Sequence, residues 1–566
     1  MTFGYPQNLP APQGDVRSLD SKKLKCKIEG KVVDLSTSEP LNKATLRLRT
    51  ATPAAASVTA PPAGDGAFNY ISKSDAAGGF VFEEIEPGAY WLSAERAGFV
   101  RQNYGARSTT MQGVVVKLDA GQELKDVLFQ LTPQGAIRGR VVDEDGDPIG
   151  NARVQALHWT YWSGGRKQLS PVGSTSTAAD GSFVATNLSP GTYYLSATPT
   201  TGWTPDQAGR KGPEETYANV FYQDALEPSA AAPIQVFAGA DIRGIEVRMR
   251  KVRVFRIRGK ALDTATGASL QNVTLRLLAK DSSDYFDAML YRRLAVVRNN
   301  SFEFAAVPPG TYVIEPDIAA NHLVGRCVVT VSQENVGDLV CPLGPGQEVM
   351  ATIGIAEGHE TGQQPSVDGR KKPPSQPSLS FLAVDGFPTI PAIQKLDNGS
   401  FRIHNVPPNR FRVNVSGLPE GTFIKAMRFN NQDWTQPILD LTSGAGGSLQ
   451  IILADGAAGV TGVVRNSKGE AMPGVVVTLW SPDRAMLGAF DPAKAAYTDQ
   501  NGAFRIENLG PGDYRILAWD DFDAGLMLNL DFLKRFESQA SSIKLEENSR
   551  ETVDVKLADR DSGADR

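Results

Sequence analysis

Apolar and polar residues alternate with a period of two in short runs along most of the chain, the pattern of strands that bury one face and wet the other. CKIEGKVVD from Cys26 alternates in this way and carries a glycine at Gly30. The pattern returns as AIRGRVVDEDG from Ala136, FRIRGKALD from Phe255 and GVTGVVRNSKG from Gly459, with a weaker form, ATIGIAEG, from Ala351. Each is followed by a turn and a second alternating run: ATLRLR at Ala44, ARVQAL at Ala152, VTLRLL at Val273, LSFLAV at Leu379 and VVVTLW at Val475. A third signature is DGSFVATNLSPGTYYL from Asp180. Asp180-Gly181 predicts a tight hairpin turn, because Gly tolerates positive φ and Asp bonds its own following backbone. Phe183 and Val184 begin a strand, Pro190-Gly191 makes a second turn, and Thr192 to Ala197 alternates again.

That third signature occurs five times, at Asp75–Leu92, Asp180–Leu195, Asn300–Ile314, Asp397–Val413 and Asn501–Ile516. Its turn prolines Pro87, Pro190, Pro309, Pro408 and Pro511 are spaced by 103, 119, 99 and 103 residues. Such spacings are those of whole domains, too long for solenoid units of roughly 20–50 residues. Each repeat also closes on a run of strand, polar turn and strand, such as VVVKLDAGQELKDVLFQL at Val114. About seven short strands in each repeat predict an all-β chain of five tandem Greek-key, immunoglobulin-like β-sandwiches. The boundaries fall at 24–132, 133–250, 251–344, 345–454 and 455–558, between a flexible lead over 1–23 and a flexible tail over 559–566. The tyrosine after each Pro-Gly turn (Tyr90, Tyr193, Tyr312 and Tyr514, with Phe411 in repeat four) is expected at a sandwich corner, ring in the core and hydroxyl on backbone.

Insertions mark the loops. Thr52–Asp65 and Glu357–Pro377 are low in complexity, and Asp531–Ser538 predicts a short helix with Phe532, Leu533 and Phe536 on one face. Between repeats only a few residues separate the last strand of one from the first of the next, which predicts touching neighbours in a bent or compact chain. Gly344-Pro-Gly reads as a turn and as the sharpest change of direction, while Arg250–Phe255 can continue as strand.

Composition narrows the classes. The 58 Lys and Arg against 63 Asp and Glu give a net charge of −5 with the signs interspersed, which excludes the basic stripe of a nucleic-acid binder. No apolar run reaches the ~18–20 residues of a membrane span. Three cysteines cannot make a disulfide scaffold. Buried free thiols are the expected state, and the alternative is one bridge between Cys327 and Cys341, which lie on two apolar runs of repeat three able to pair as neighbouring strands.

These motifs resemble the carboxypeptidase regulatory-like family, close to the Cna-B and transthyretin-like (prealbumin-like) sandwiches, whose hallmark is G-x-V-x-D, then A-x-V-x-L, then DGxFxxxxLPPGxYxL. The resemblance runs from Leu24 to Leu557 and is closest to multi-module proteins that soil bacteria export. It therefore implies an extracytoplasmic location, in the periplasm, on the surface or secreted. No signal peptide opens the chain, so export implies a start upstream of Met1. Peptidase activity is not implied, since in metallocarboxypeptidases the sandwich stands beside a separate zinc domain. The four histidines, His158, His322, His359 and His404, form no HxxE or HExxH pair, so no metal or other cofactor is expected.

Other candidate chemistry reads as structural. Relatives in Gram-positive pili form Lys–Asn isopeptide bonds with a buried acid four residues after the tyrosine. Ala94, Ala197, Pro316 and Ala518 stand there instead, and Glu95 and Glu315 are out of register by one residue, on the opposite face. Asp143–Asp147 (DEDGD) has the alternating carboxylates of a calcium loop but lacks its closing Glu, and an ordinary hairpin turn is expected. The one localised hint is aromatic: Trp159, Tyr161, Trp162, Trp203, Tyr217 and Tyr222 of repeat two can stack sugars, or can close the end of the sandwich and its joint with repeat three. The resulting expectation is a non-catalytic interaction or structural protein at the cell envelope, with an unknown protein or glycan as partner. A carbohydrate-binding protein using those aromatics and an accessory subunit of a separately encoded enzyme are the alternatives.

Overall fold

A computed structural model describes residues 24–51, 69–106, 113–162, 166–199, 214–280, 293–317, 323–355, 377–384, 391–434, 438–482, 493–520, 526 and 530–558. The lead, the tail, the Thr52–Asp65 insertion and nearly all of the second low-complexity insertion lie outside them. Repeat one sets the pattern. Its first strand, Cys26–Asp34, runs between Gly79–Ile85 (antiparallel) and the last strand, Glu123–Leu131 (parallel). The facing sheet holds Tyr70–Lys73, Thr45–Thr50, Gly88–Glu95 and Gln102–Asn103, with Val115–Leu118 also on Gly88–Glu95. Ile28, Leu46, Phe82, Leu92 and Phe129 close the space between the sheets. Each such side chain taken fully from water stabilises by roughly 1.5–3 kcal/mol.

The same two-sheet plan surrounds separate cores in the other repeats, around Leu195, Ile257, Phe381 and Ile516. In every repeat the last two strands belong to opposite sheets. The polar turn between them is a corner that crosses the sandwich, not a hairpin. The same holds for the two turns of the DGSF unit: Arg166–Ser176 and Gly191–Thr198 lie in one sheet, Ser182–Leu188 in the other. The expected hairpin at Asp180-Gly181 is thus a sheet-to-sheet corner. Gly181 takes φ 75° there, and its Asp180 carboxylate accepts the Ser182 N–H at 3.0 Å.

The glycine of the first strand has a steric cause. A Cβ on Gly30, Gly139, Gly259 or Gly462 would fall 1.9, 2.0, 2.4 or 1.9 Å from a carbonyl oxygen of the chain running beside it towards the end of its repeat. In repeats one to three this neighbour is the parallel last strand, and the ladder slips there by a bulge. Repeat four lacks the bulge, and Ala351 occupies the place opposite Phe401 that glycine holds opposite Phe80, Phe183, Phe302 and Phe504. Gly354, the glycine of the ATIGIAEG run, is exposed, with nothing within 4 Å of its added Cβ. Repeat four departs further: Thr422–Phe429 adds a long strand beside Gly447–Asp455, making a six-stranded sheet.

The tyrosine corner forms as expected. The hydroxyls of Tyr90, Tyr193, Tyr312 and Tyr514 donate to the carbonyls of Glu86, Ser189, Pro308 and Gly510 at 2.7–2.9 Å, and Phe411 lies wholly buried. A second device went unread in the sequence. Buried Ser74, Thr177 and Thr498 each accept the N–H that opens the second strand and donate to a carbonyl of the turn before it, joining two corners through one hydroxyl. The predicted helix is shorter than expected, Leu530–Lys534, and Phe536 lies in the turn after it; Leu533 and Phe536 are both buried in the cluster with Trp519 and Trp480 on the outer face of the last sheet.

Two further expectations are corrected. Gly344 and Pro345 end the strand Val336–Pro345, and after Gly346 alone the strand Gln347–Ile355 begins, so Gly344-Pro-Gly is not a turn. Pairing of Leu323–Val324 with Gly344 and Pro345 keeps it extended. Cys327 and Cys341 do not face each other on neighbouring strands: Cys327–Val331 pairs in one sheet and Val336–Pro345 in the other. Their Cα atoms stand 5.5 Å apart across the core and the sulfurs are joined as a disulfide, leaving Cys26 as a buried free thiol in place of the three expected.

Candidate functional site: the aromatic face of repeat two

The strand Arg153–Trp162 places Val154 and Ala156 in the core of repeat two. Alternation then sends Leu157, Trp159 and Tyr161 to the outer face of the sheet. Leu169, directly opposite Trp159, joins buried Leu157 and Phe221 in an apolar cluster on that face. Trp159 and Tyr194 border it edge to face, ring centroids 6.1 Å apart, and the Lys167 ammonium stands 5.5 Å from the centre of the Trp159 ring. A half-exposed indole with a cation over it is the local chemistry on offer.

The six aromatics are not gathered at one place. Trp159 and Tyr161 share the outer face. Trp162 ends the strand, and its side chain lies, like Trp203, outside the described residues. Tyr222 packs against the repeat's own core. Tyr217 belongs to the joint with repeat three, where Glu215–Tyr217 pairs antiparallel with Lys251–Arg253. Its hydroxyl donates to Asp143 Oδ2 at 3.3 Å, and Lys251 stands 5.7 Å from its ring centre. Burial pushes the Tyr217 phenol above its ordinary range. Sequence reading missed Tyr194, although its place next to the corner residue Tyr193 gives it the opposite face by alternation. Lys167 carried no signal.

Asp143 settles the DEDGD stretch. Its Oδ1 accepts the N–H groups of Asp145 and Asp147 at 3.1 and 2.9 Å, closing a turn, and its other oxygen faces Tyr217 and Lys251. Burial alone would raise this carboxyl, but the two N–H donors, the phenol and the ammonium outweigh it and hold it below the usual range. Among the described residues no three His, Cys, Asp or Glu side chains gather as a metal site. Glu95 pairs with Arg47, and Glu315 with Arg276 at 2.6 Å, both across strands on the outer face. No helix among the described residues is long and apolar enough to cross a membrane.

Among solved structures, the chain is similar to the Bacillus anthracis TIE protein (11% identity, 73% of this chain and 69% of that one, TM-score 0.15). It is similar also to a streptococcal ancillary pilin (12%, 57% and 99%, 0.21) and to the major pilin subunit of Bacillus cereus (8%, 56% and 99%, 0.14). At such scores these likenesses carry no weight for function. No curated protein matches the chain. Residues 136–209 and 459–558 match the carboxypeptidase regulatory-like domain. With the repeated sandwich and its corner tyrosine, the chain is a multi-module β-sandwich protein in which these two stretches match the carboxypeptidase regulatory-like domain.

Proposed function

We propose that this chain is a non-catalytic interaction or structural protein that works outside the cytoplasm, with the five repeats at the boundaries given above as its folding units. The observation that carries the reading is where the reactive side chains lie. Asp143 closes a turn, Glu315 neutralises Arg276, and the corner tyrosines hold backbone carbonyls. Each is committed to structure, which leaves a surface for contact as the resource of the fold. The Cys327–Cys341 bridge supports an oxidising compartment, since cytosolic thiols are held reduced. Purified chain is expected to show no turnover on ester, peptide and glycoside substrates, and to label at one thiol when denatured without reductant. Reproducible hydrolysis would overturn the first half of the reading, and three labelled thiols in protein recovered from the envelope the second.

A second reading, glycan binding, is favoured by one specific feature, the half-exposed Trp159 beside Tyr194 with Lys167 over its ring. Glycan-array signal lost in Trp159→Ala would establish it. An array without signal for the intact chain would remove it.

A further inference from the structure

We propose that repeat one and repeat five clasp each other, so that the five-repeat chain closes head to tail, a step beyond the interaction role above. Three kinds of contact meet at the clasp. Lys117 Nζ of repeat one lies 3.0 Å from Asp499 Oδ2 of repeat five, and the Gln500 side-chain amide donates to the Lys117 carbonyl at 3.3 Å. Gly474, at φ 72°, abuts Gly105 so closely that an added Cβ would fall 2.1 Å from the Gly105 oxygen, with Val114 next at 3.3 Å. Ala106 packs on the apolar cluster of Trp480 and Trp519 that covers the outer face of the last sheet. Asp499 is already fixed for this pairing: its Oδ1 accepts the N–H groups of Asn501 and Ala503, so Oδ2 points outward from a rigid turn.

The other joints make closure possible. Repeat two is tied to three by strand pairing at Tyr217, three to four by Leu323–Val324 lying beside Phe401–Val406, and four to five by Asn508, whose amide donates to the Pro419 and Thr422 carbonyls. Restricted angles at each step raise the effective concentration of one end at the other, so modest contacts suffice to close the chain. The pair itself contributes little alone, since Lys117 is 64% exposed and is screened by salt. The backbone apposition at Gly474 is the specific part of the contact.

The nearest atoms to a Cβ at Gly474 all belong to repeat one. Asn tolerates its left-handed backbone, so Gly474→Asn is expected to break the clasp and leave repeat five folded. Small-angle scattering of the full chain should give a maximum dimension well short of the roughly 150–200 Å of five sandwiches end to end, and Gly474→Asn should lengthen it. Independently, Lys117→Cys with Gln500→Cys should form an intrachain disulfide at micromolar protein, read by peptide mapping. A wild-type maximum dimension in the extended range, an unchanged dimension in folded Gly474→Asn, or crosslinks found only between chains and growing with concentration would each overturn the proposal.

Discussion

Replacing Gly139 by Ala and Gly354 by Ala should move stability in opposite directions, although both residues lie in the first strand of a sandwich. At Gly139 the new methyl would sit 2.0 Å from the Ile245 oxygen and 2.8 Å from the Phe183 ring. No carbon approaches a backbone oxygen so closely, so the parallel strands must part by about 1 Å, an overpacking that costs about 1–3 kcal/mol. Weakening one or two ladder hydrogen bonds beside it adds about 0.5–1.5 kcal/mol each. The lower entropy of the unfolded chain returns only about 0.4–1 kcal/mol, leaving a net loss of roughly 2–4 kcal/mol. Gly354 is exposed, with nothing within 4 Å of its added Cβ and a φ outside the left-handed region, so only the entropy gain acts and Ala should stabilise by about 0.4–1 kcal/mol. Hydrogen exchange in the full chain reads each change locally, over Gly135–Val142 with Asp241–Arg248 and over Gln347–Ile355, and calorimetry follows the corresponding transition. Unchanged protection in Gly139→Ala, or a loss at Gly354→Ala as large as that at Gly139, would refute the steric account of the repeated glycine.

Glu315→Gln should cost about 3–5 kcal/mol in repeat three, because Arg276, with its side chain only 5% exposed, loses its neutralising charge. The double replacement Arg276→Met with Glu315→Leu should recover most of that in denaturant unfolding. Tyr514→Phe should cost about 0.5–1.5 kcal/mol through the lost bond to the Gly510 carbonyl. Burial pushes the Tyr514 phenol up to about 12, so the fold favours its neutral form. This contribution is whole below the ordinary value of 10.0 and is lost as pH rises from there through about 12, a loss that the unfolding of repeat five followed against pH should show in wild type and that Tyr514→Phe should lessen. Reducing Cys327–Cys341, which closes a loop of sequence separation 14, should destabilise repeat three by about 3 kcal/mol, and Cys341→Ser should reproduce the shift in its unfolding midpoint.

Strand positions were legible because period-two alternation is a local signal: the runs at Cys26, Thr45, Phe255 and Val476 are strands in the structure. The corner tyrosines were legible because a Pro-Gly turn fixes the position that follows. The hydroxyl of Thr177 was not, since its partners Ile149 and Ala152 lie 28 and 25 residues away and no local pattern marks the pairing. The aromatic residues of repeat two show the same division. Alternation assigns Trp159 and Tyr194 to an outer face, whereas the pairing that draws Tyr217 to repeat three is set by a ladder formed with the next repeat.

Which sheet a strand joins was the information local pattern lacked, and its absence explains all three corrections. A turn residue reports that the chain reverses, and a reversal serves a hairpin within one sheet as well as a corner between two. In this sandwich the first and last strands run parallel side by side in one sheet, so the strand before the last must cross from the other. Cys327 and Cys341 flank that crossing in repeat three, and their bond therefore ties sheet to sheet instead of strand to neighbour. Once the last strand is placed parallel to the first, it can run straight on into the next sandwich. That is what Gly344 and Pro345 do, extended up to Gly346, where repeat four opens and a Cβ would meet Asn405 of that repeat's own neighbouring strand at 2.3 Å. The glycine there lets the entering chain lie close against the sheet it joins, and the change of direction its sequence suggested is replaced by an extended passage from one sandwich into the next.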